Sequence, residues 1–236
     1  MLSHCQSLYS AKRLSAENMV EATAYTLIMS GKFLRSRDEF EDATDQLCVA
    51  RALLGELVEC AGTSRDQALA TMFADEISPE IRYCSHQLGH SNSYDVDAIV
   101  KAVAPKHRST LVAGYDELVE NLKSESRQHE EGGKKQLQPL MWEGKEVPVR
   151  NPELVDVLLQ VQSAEARLQG REDAPKSDEA KGKQSKTSRS RKGVAAYDGV
   201  LAALSDAEGV ARKLVESQQV GARYSPFSAI INIHAG

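Results

Sequence analysis

Apolar residues recur three and four positions apart along most of this chain, and that spacing constrains the fold more than any other feature. Met19, Ala22, Thr23, Leu27 and Ser30 fall on one helical face. So do Leu154, Val157, Leu158 and Val161, and later Leu201, Leu204, Ala207, Ala211, Leu214 and Val215. Aromatic residues, on which sheets draw, are only 5% of the chain. The expectation is an all-α protein of antiparallel helical hairpins, large enough at 236 residues to bury a core.

Start and stop signals divide the pattern. Leu2, Cys5, Leu8 and Tyr9 carry a first helix to about Lys12. Ser15 is the expected N-cap of a second, ending near residues 33–35. Asp38, after the turn R35-S-R-D38, is a candidate cap for a third helix running to about Cys60. Gly62 closes it, and S64-R-D-Q67 reads as a capping box. Ser78-Pro79 reads as a break between two helices, because serine caps well and proline suits the first helical position. Gly89 ends the helix that follows, and H90-S-N-S-Y-D95 is a polar connection. Asp95 then opens a short helix expected to end before Pro105, and a longer one covers about residues 109–129.

Composition changes after His129. The segment L137-Q-P-L-M-W-E-G-K-E-V-P-V149 reads as extended chain or a small hairpin around Glu143-Gly144, with Trp142 either folding it onto the helices or contacting a partner. Asn151-Pro152 starts a helix to about Gln169. Residues 171–193 carry almost no apolar type except alanine and are expected to form a disordered linker. The expected organisation is a helical part over 1–130, a Trp-containing loop plus helix over 131–170, the linker 171–193, a helix over 194–220 and an unplaced tail, 221–236.

A net charge of −5 argues against a nucleic-acid surface spread over the whole chain. Basic surface must therefore be local. The run K181-G-K-Q-S-K-T-S-R-S-R-K192 is either a phosphate-touching tail or a soluble linker. On the helical part, Lys12 and Arg13, with Lys32, Arg35 and Arg37, are the candidate phosphate contacts; solvated helix ends are the alternative. Four cysteines (Cys5, Cys48, Cys60, Cys84) lack CxxC spacing and read as reduced thiols, which fits a cytosolic compartment. No apolar run approaches a membrane span, and no secretory leader pattern is visible.

Catalysis finds little support: G-x-S-x-G, a phosphate-binding glycine loop and H-E-x-x-H are all absent. Only Cys84, His86 and His90 suggest a metal site, and zinc would need a fourth ligand. No catalytic residue, metal or cofactor is expected.

Gly31, Leu34, Phe40, Ala43, Leu47 and Ala50 fall at the spacing of a tetratricopeptide unit, in which a small residue lets two helices cross closely. Leu27, Asp38 and Gly55 stand where that motif has its Trp, central Gly and closing Pro. A true repeat and a hairpin that merely shares its packing both remain open.

Three motifs in order, A24-Y-T-L-I-M-S-G31, E76-I-S-P-E-I-R-Y-C84 and W142-E-G-K-E-V-P-V149, resemble the family of the signal recognition particle 68 kDa subunit. Ser78, Pro79, Arg82, Tyr83, Trp142, Gly144 and Pro148 carry the signature. The resemblance implies a non-catalytic, tetratricopeptide-like protein that binds the particle's 7S-type RNA. It further implies a 72 kDa partner subunit, receptor machinery at the endoplasmic reticulum and cotranslational protein targeting. Cytoplasmic residence with a nucleolar assembly stage also follows from it, without membrane insertion. The family's basic N-terminal helix and its partner-binding C-terminal region are expected to lie outside this sequence. The rival function is a helical protein-interaction adaptor that does not bind RNA.

Overall fold

A computed structural model describes residues 2–90, 93–129, 136–172 and 186–223. The chain separates into two compact units, Met1–Gln136 and Leu137–Gly236.

Six helices build the first unit: α1 (Leu2–Ser10), α2 (Ala16–Ser36), α3 (Phe40–Cys60), α4 (Ser64–Gln87), α5 (Val96–Leu111) and α6 (Tyr115–His129). The centre is α3. Its buried positions, among them Ala43, Leu47, Val49, Ala50, Leu53 and Leu57, face several directions, as expected for a helix enclosed by others. Helices α2 and α4 pack along it as antiparallel hairpin partners, and α5 and α6 also pack against it.

Gly31 sets the α2–α3 crossing. A Cβ placed there would stand 2.7 Å from Leu47 Cγ and 2.8 Å from Leu47 Cδ2, and Leu47 is fully buried. Only glycine lets the helices approach this closely, which is the role its spacing predicts.

Several boundaries match the sequence signals. Ser15 Oγ accepts from the Asn18 N–H, Asp95 Oδ1 from the Ala98 N–H and Asn151 Oδ1 from the Leu154 N–H. The second turn of reinforcement at α2 comes from far away in sequence. Glu125 of α6 accepts the Ala16 N–H at 2.8 Å, placing a carboxylate at the positive helix end.

Other expectations are corrected. Ser78-Pro79 is not a break, since α4 runs from Ser64 to Gln87 with Pro79 inside it. The Ser78 hydroxyl donates backwards to the Ala74 carbonyl at 2.6 Å instead of capping a new helix. Arg51 Nη1 of α3 donates to the same carbonyl at 2.8 Å, and Arg51 Nη2 reaches Asp97 of α5 at 3.1 Å. This guanidinium ties α3, α4 and α5 together and holds α4 at the turn where proline removes a ladder donor. Likewise α5 continues through Pro105 to Leu111, and the chain turns at Gly114, where φ is +71°. Pro79 and Pro105 are both exposed, so each missing N–H falls on the solvent side.

Asp38 ends α2 and does not cap α3. With φ at +62° it forms a Schellman stop, in which its N–H donates to Arg35 O and the Glu39 N–H to Leu34 O. Glu39 becomes the α3 N-cap without a side-chain bond. The α4 cap lies one residue before the predicted Ser64: Thr63 Oγ1 accepts the Asp66 N–H, and its hydroxyl donates to the Asp66 carboxylate.

In the second unit, β1 (Leu140–Trp142) and β2 (Lys145–Val147) pair antiparallel, with Leu140 opposite Val147. Glu143 and Gly144 have φ of +50° and +79°, the two positive angles of a type I′ turn. The Trp142 side chain lies outside the described residues. What ties this segment to α7 (Pro152–Glu172) is Gln162, whose amide accepts from Gln138 N at 3.0 Å and donates to Gln138 O at 3.2 Å. Helix α8 (Lys186–Arg223) packs on α7. It starts inside the stretch expected to be linker, while residues 173–185 and the tail 224–236 lie outside the described residues. Ala207 is buried on α8, but Leu201, Leu204 and Val215, expected to share its face, are 65%, 47% and 53% exposed. Around Ala207 the half-buried residues of α8 are Val200, Ala203, Val210, Ala211 and Leu214.

Candidate nucleic-acid interface

The predicted cations lie at opposite ends of α2, which spans about 30 Å at ~1.5 Å per residue. At the α2–α3 corner the structure surrounds them with acids. Lys32 Nζ meets Glu76 at 2.7 Å, Arg35 Nε meets Glu80 at 2.7 Å and Arg37 Nε meets Glu39 at 2.9 Å. The Arg35 contact is a charge contact without hydrogen-bond alignment. The Arg35 guanidinium also stands 5.6 Å from the centre of the Tyr83 ring, which meets Phe40 edge-on, and Arg37 lies 5.7 Å from that of Phe33. Two of the three acids come from α4. Glu76 and Glu80 turn these cations into links between neighbouring helices.

The other end is different. Lys12 and Arg13 form a Schellman stop after α1: Lys12, with φ at +55°, donates its N–H to Tyr9 O, and the Arg13 N–H reaches Leu8 O. Both side chains are exposed. The corner is held against α6 by two bonds, Asn121 Nδ2 to the Tyr9 hydroxyl at 2.8 Å and Ala16 N to Glu125 at 2.8 Å. Ser126 Oγ donates to Cys60 O, bringing the end of α3 to the same place. Arg127, exposed on α6, therefore belongs to the end of the unit that carries Lys12 and Arg13. Nearby Lys123 is engaged by Glu56 at 2.8 Å, and that hydrogen bond raises its pKa.

Arg127 was not legible as a partner of Lys12 because more than a hundred residues separate them. No spacing rule connects residues across a helical stack.

The signature residues shape the fold more than they expose chemistry. Ser78 and Pro79 sit within α4, Arg82 is exposed and Tyr83 is 45% exposed beneath Arg35. Gly144 makes the hairpin turn, and Pro148 follows β2.

The Cys84–His86–His90 cluster is pulled apart. Cys84 faces the core, where burial pushes its thiol pKa up, while His86 and His90 are exposed on either side of the Gly89 stop. Among the described residues no group of three His, Cys, Asp or Glu side chains is placed to hold a metal ion. All four cysteines are free: Cys48 and Cys84 are buried, and Cys5 and Cys60 are half-buried. No helix among the described residues is long and apolar enough to cross a membrane.

Stacked antiparallel helices bearing local basic ends make this an all-α protein. A family model described as RNA-binding signal recognition particle 68 matches residues 1–225, and the chain belongs to that family. No solved structure matches it.

Proposed function

We propose that this chain is a non-catalytic structural subunit that grips the signal recognition particle's 7S-type RNA through Lys12, Arg13 and Arg127. The observation that carries this reading is the contrast between the two ends of α2. Lys32, Arg35 and Arg37 are already held by carboxylates, whereas Lys12 and Arg13 are exposed at a fixed stop, at the end of the unit to which Glu125 and Ser126 tie the α6 segment that carries Arg127. Phosphate contacts gain affinity by counterion release, which favours cations that need not first leave a carboxylate. Family membership supports RNA as the polyanion.

In this reading the protein works with a 72 kDa subunit and the receptor machinery in cotranslational targeting to the endoplasmic reticulum. It resides in the cytoplasm, with assembly in the nucleolus.

The test is a binding titration of the purified chain against the particle's RNA and an unrelated hairpin duplex of equal length. Tighter binding to the particle's RNA, weakened by K12E/R13E, is the expected outcome. Equal affinity for both RNAs, or no loss on charge reversal, would sink the proposal.

A further inference from the structure

A groove of about 240 Å³ opens between α2 and α4 over α3. Its floor is apolar: Ala24, Ile28, Leu54, Leu57 and Ala70 are all buried there. Tyr25 and Phe73 form walls on α2 and α4. Along the rim stand three carboxylates, Glu17, Glu21 and Asp66, and the lining contains no cation. From Tyr25 in its wall, Met29 and Phe33 continue along α2 at four-residue spacing; the three are 56%, 51% and 59% exposed, and the Arg37 guanidinium lies over the Phe33 ring. They make an apolar stripe about 12 Å long at ~1.5 Å per residue, a little over two helical turns.

The occupant can be argued from shape and charge. Small-molecule sites usually enclose ~300–1,000 Å³, more than this groove offers. Nucleic acid is disfavoured because three carboxylates would face its phosphates. An apolar groove with an acidic rim instead complements a protein segment that is apolar on one side and basic on the other. Anchors spaced by helical turns are how an amphipathic helix enters a groove. The Glu21 pKa is raised, first by burial and then by Glu17 and Asp66, so an arriving cation would relieve repulsion already present.

We infer that this groove docks a basic amphipathic helix of a partner protein, its apolar side chains between Tyr25 and Phe73 and its Lys or Arg side chains against Glu17, Glu21 and Asp66.

The test uses the full chain and a fluorescein-labelled peptide of about 18 residues, with Leu at helical spacing and Lys or Arg elsewhere. A second peptide keeps the leucines and replaces every basic residue by Glu. Anisotropy should show saturable binding of the basic peptide alone. E21K and Y25A alter exposed side chains and should each weaken it about fivefold, the scale of one surface contact. E117K, on the exposed face of α6, should leave it unchanged. Circular dichroism of each variant confirms that it is folded. Absence of saturable binding, equal binding of the acidic peptide, or indifference to both groove substitutions would each overturn the inference.

Discussion

The same substitution, glycine to alanine, should have opposite effects at two positions of the α2–α3 hairpin. Both Gly31 and Gly55 lie within helices, where alanine is favoured over glycine by about 0.5–1 kcal/mol. At Gly55 a new methyl meets nothing within 4 Å, so the full gain should appear. At Gly31 it would lie 2.7 Å from Leu47 Cγ, a branch point on a fully buried side chain that has no room to swing away. Overpacking of this kind costs about 1–3 kcal/mol, more than the helix gain. G55A should therefore stabilise the hairpin, while G31A destabilises it by up to about 2.5 kcal/mol net. Native-state hydrogen exchange of α3 amides reads this unit separately from the rest of the chain. A cycle adds a second check. L47A alone should cost about 2–5 kcal/mol, and in its background G31A should lose its penalty because the methyl enters the vacated space. Equal shifts of G31A and G55A, or strict additivity with L47A, would refute the close-crossing argument.

Three further outcomes follow from local chemistry. R51A should destabilise the first unit by ~1–3 kcal/mol, because it removes a charged bond to Ala74 O and the Asp97 pair together; protection of α4 and α5 amides should fall in step. S85A should be neutral or stabilising in urea titrations, since the buried Ser85 hydroxyl has no hydrogen-bond partner among the described residues. Burial pushes the Cys48 thiol pKa up to about 12, so at pH 8 alkylation of Cys48 should wait for opening of the fold while Cys5 and Cys60 react first. Prompt native-state labelling of Cys48, mapped by mass spectrometry, would contradict that burial.

The elements most legible in the sequence were those set by neighbours along the chain. Ser15, Asp95 and Asn151 cap where their side chains allow, and Glu143-Gly144 turns because glycine tolerates positive φ. Gly31 was also readable, since a helical motif requires a small residue at that offset. Local rules failed at Pro79 and Pro105. Pro79 could have opened a helix and Pro105 could have ended one, but packing of α4 and α5 against α3, and Arg51 bonding at Ala74, outweighed each missing donor. Asp38 and Thr63 show a finer limit: two neighbouring polar residues compete for a cap, and the stop required by the preceding helix decides. The candidate site was legible in part. Lys12 and Arg13 are adjacent in sequence, but the α6 segment that carries Arg127 reaches the same end of the unit only through folding. The capture of Lys32 and Arg35 by Glu76 and Glu80 likewise depends on α4 lying beside α2, which no charge count along the chain reveals.

The most direct measurement is the salt dependence of affinity for the particle's RNA, compared between the parent chain, K12E/R13E/R127E and K32E/R35E/R37E. Each phosphate contact contributes a slope of about −0.7 to −0.9 in log affinity against log salt. Loss of roughly two to three contacts' worth of slope in the first variant, with little change in the second, is the predicted result. An unchanged slope in the first variant, or a larger loss in the second, would contradict the assignment of RNA to the Lys12–Arg13–Arg127 end.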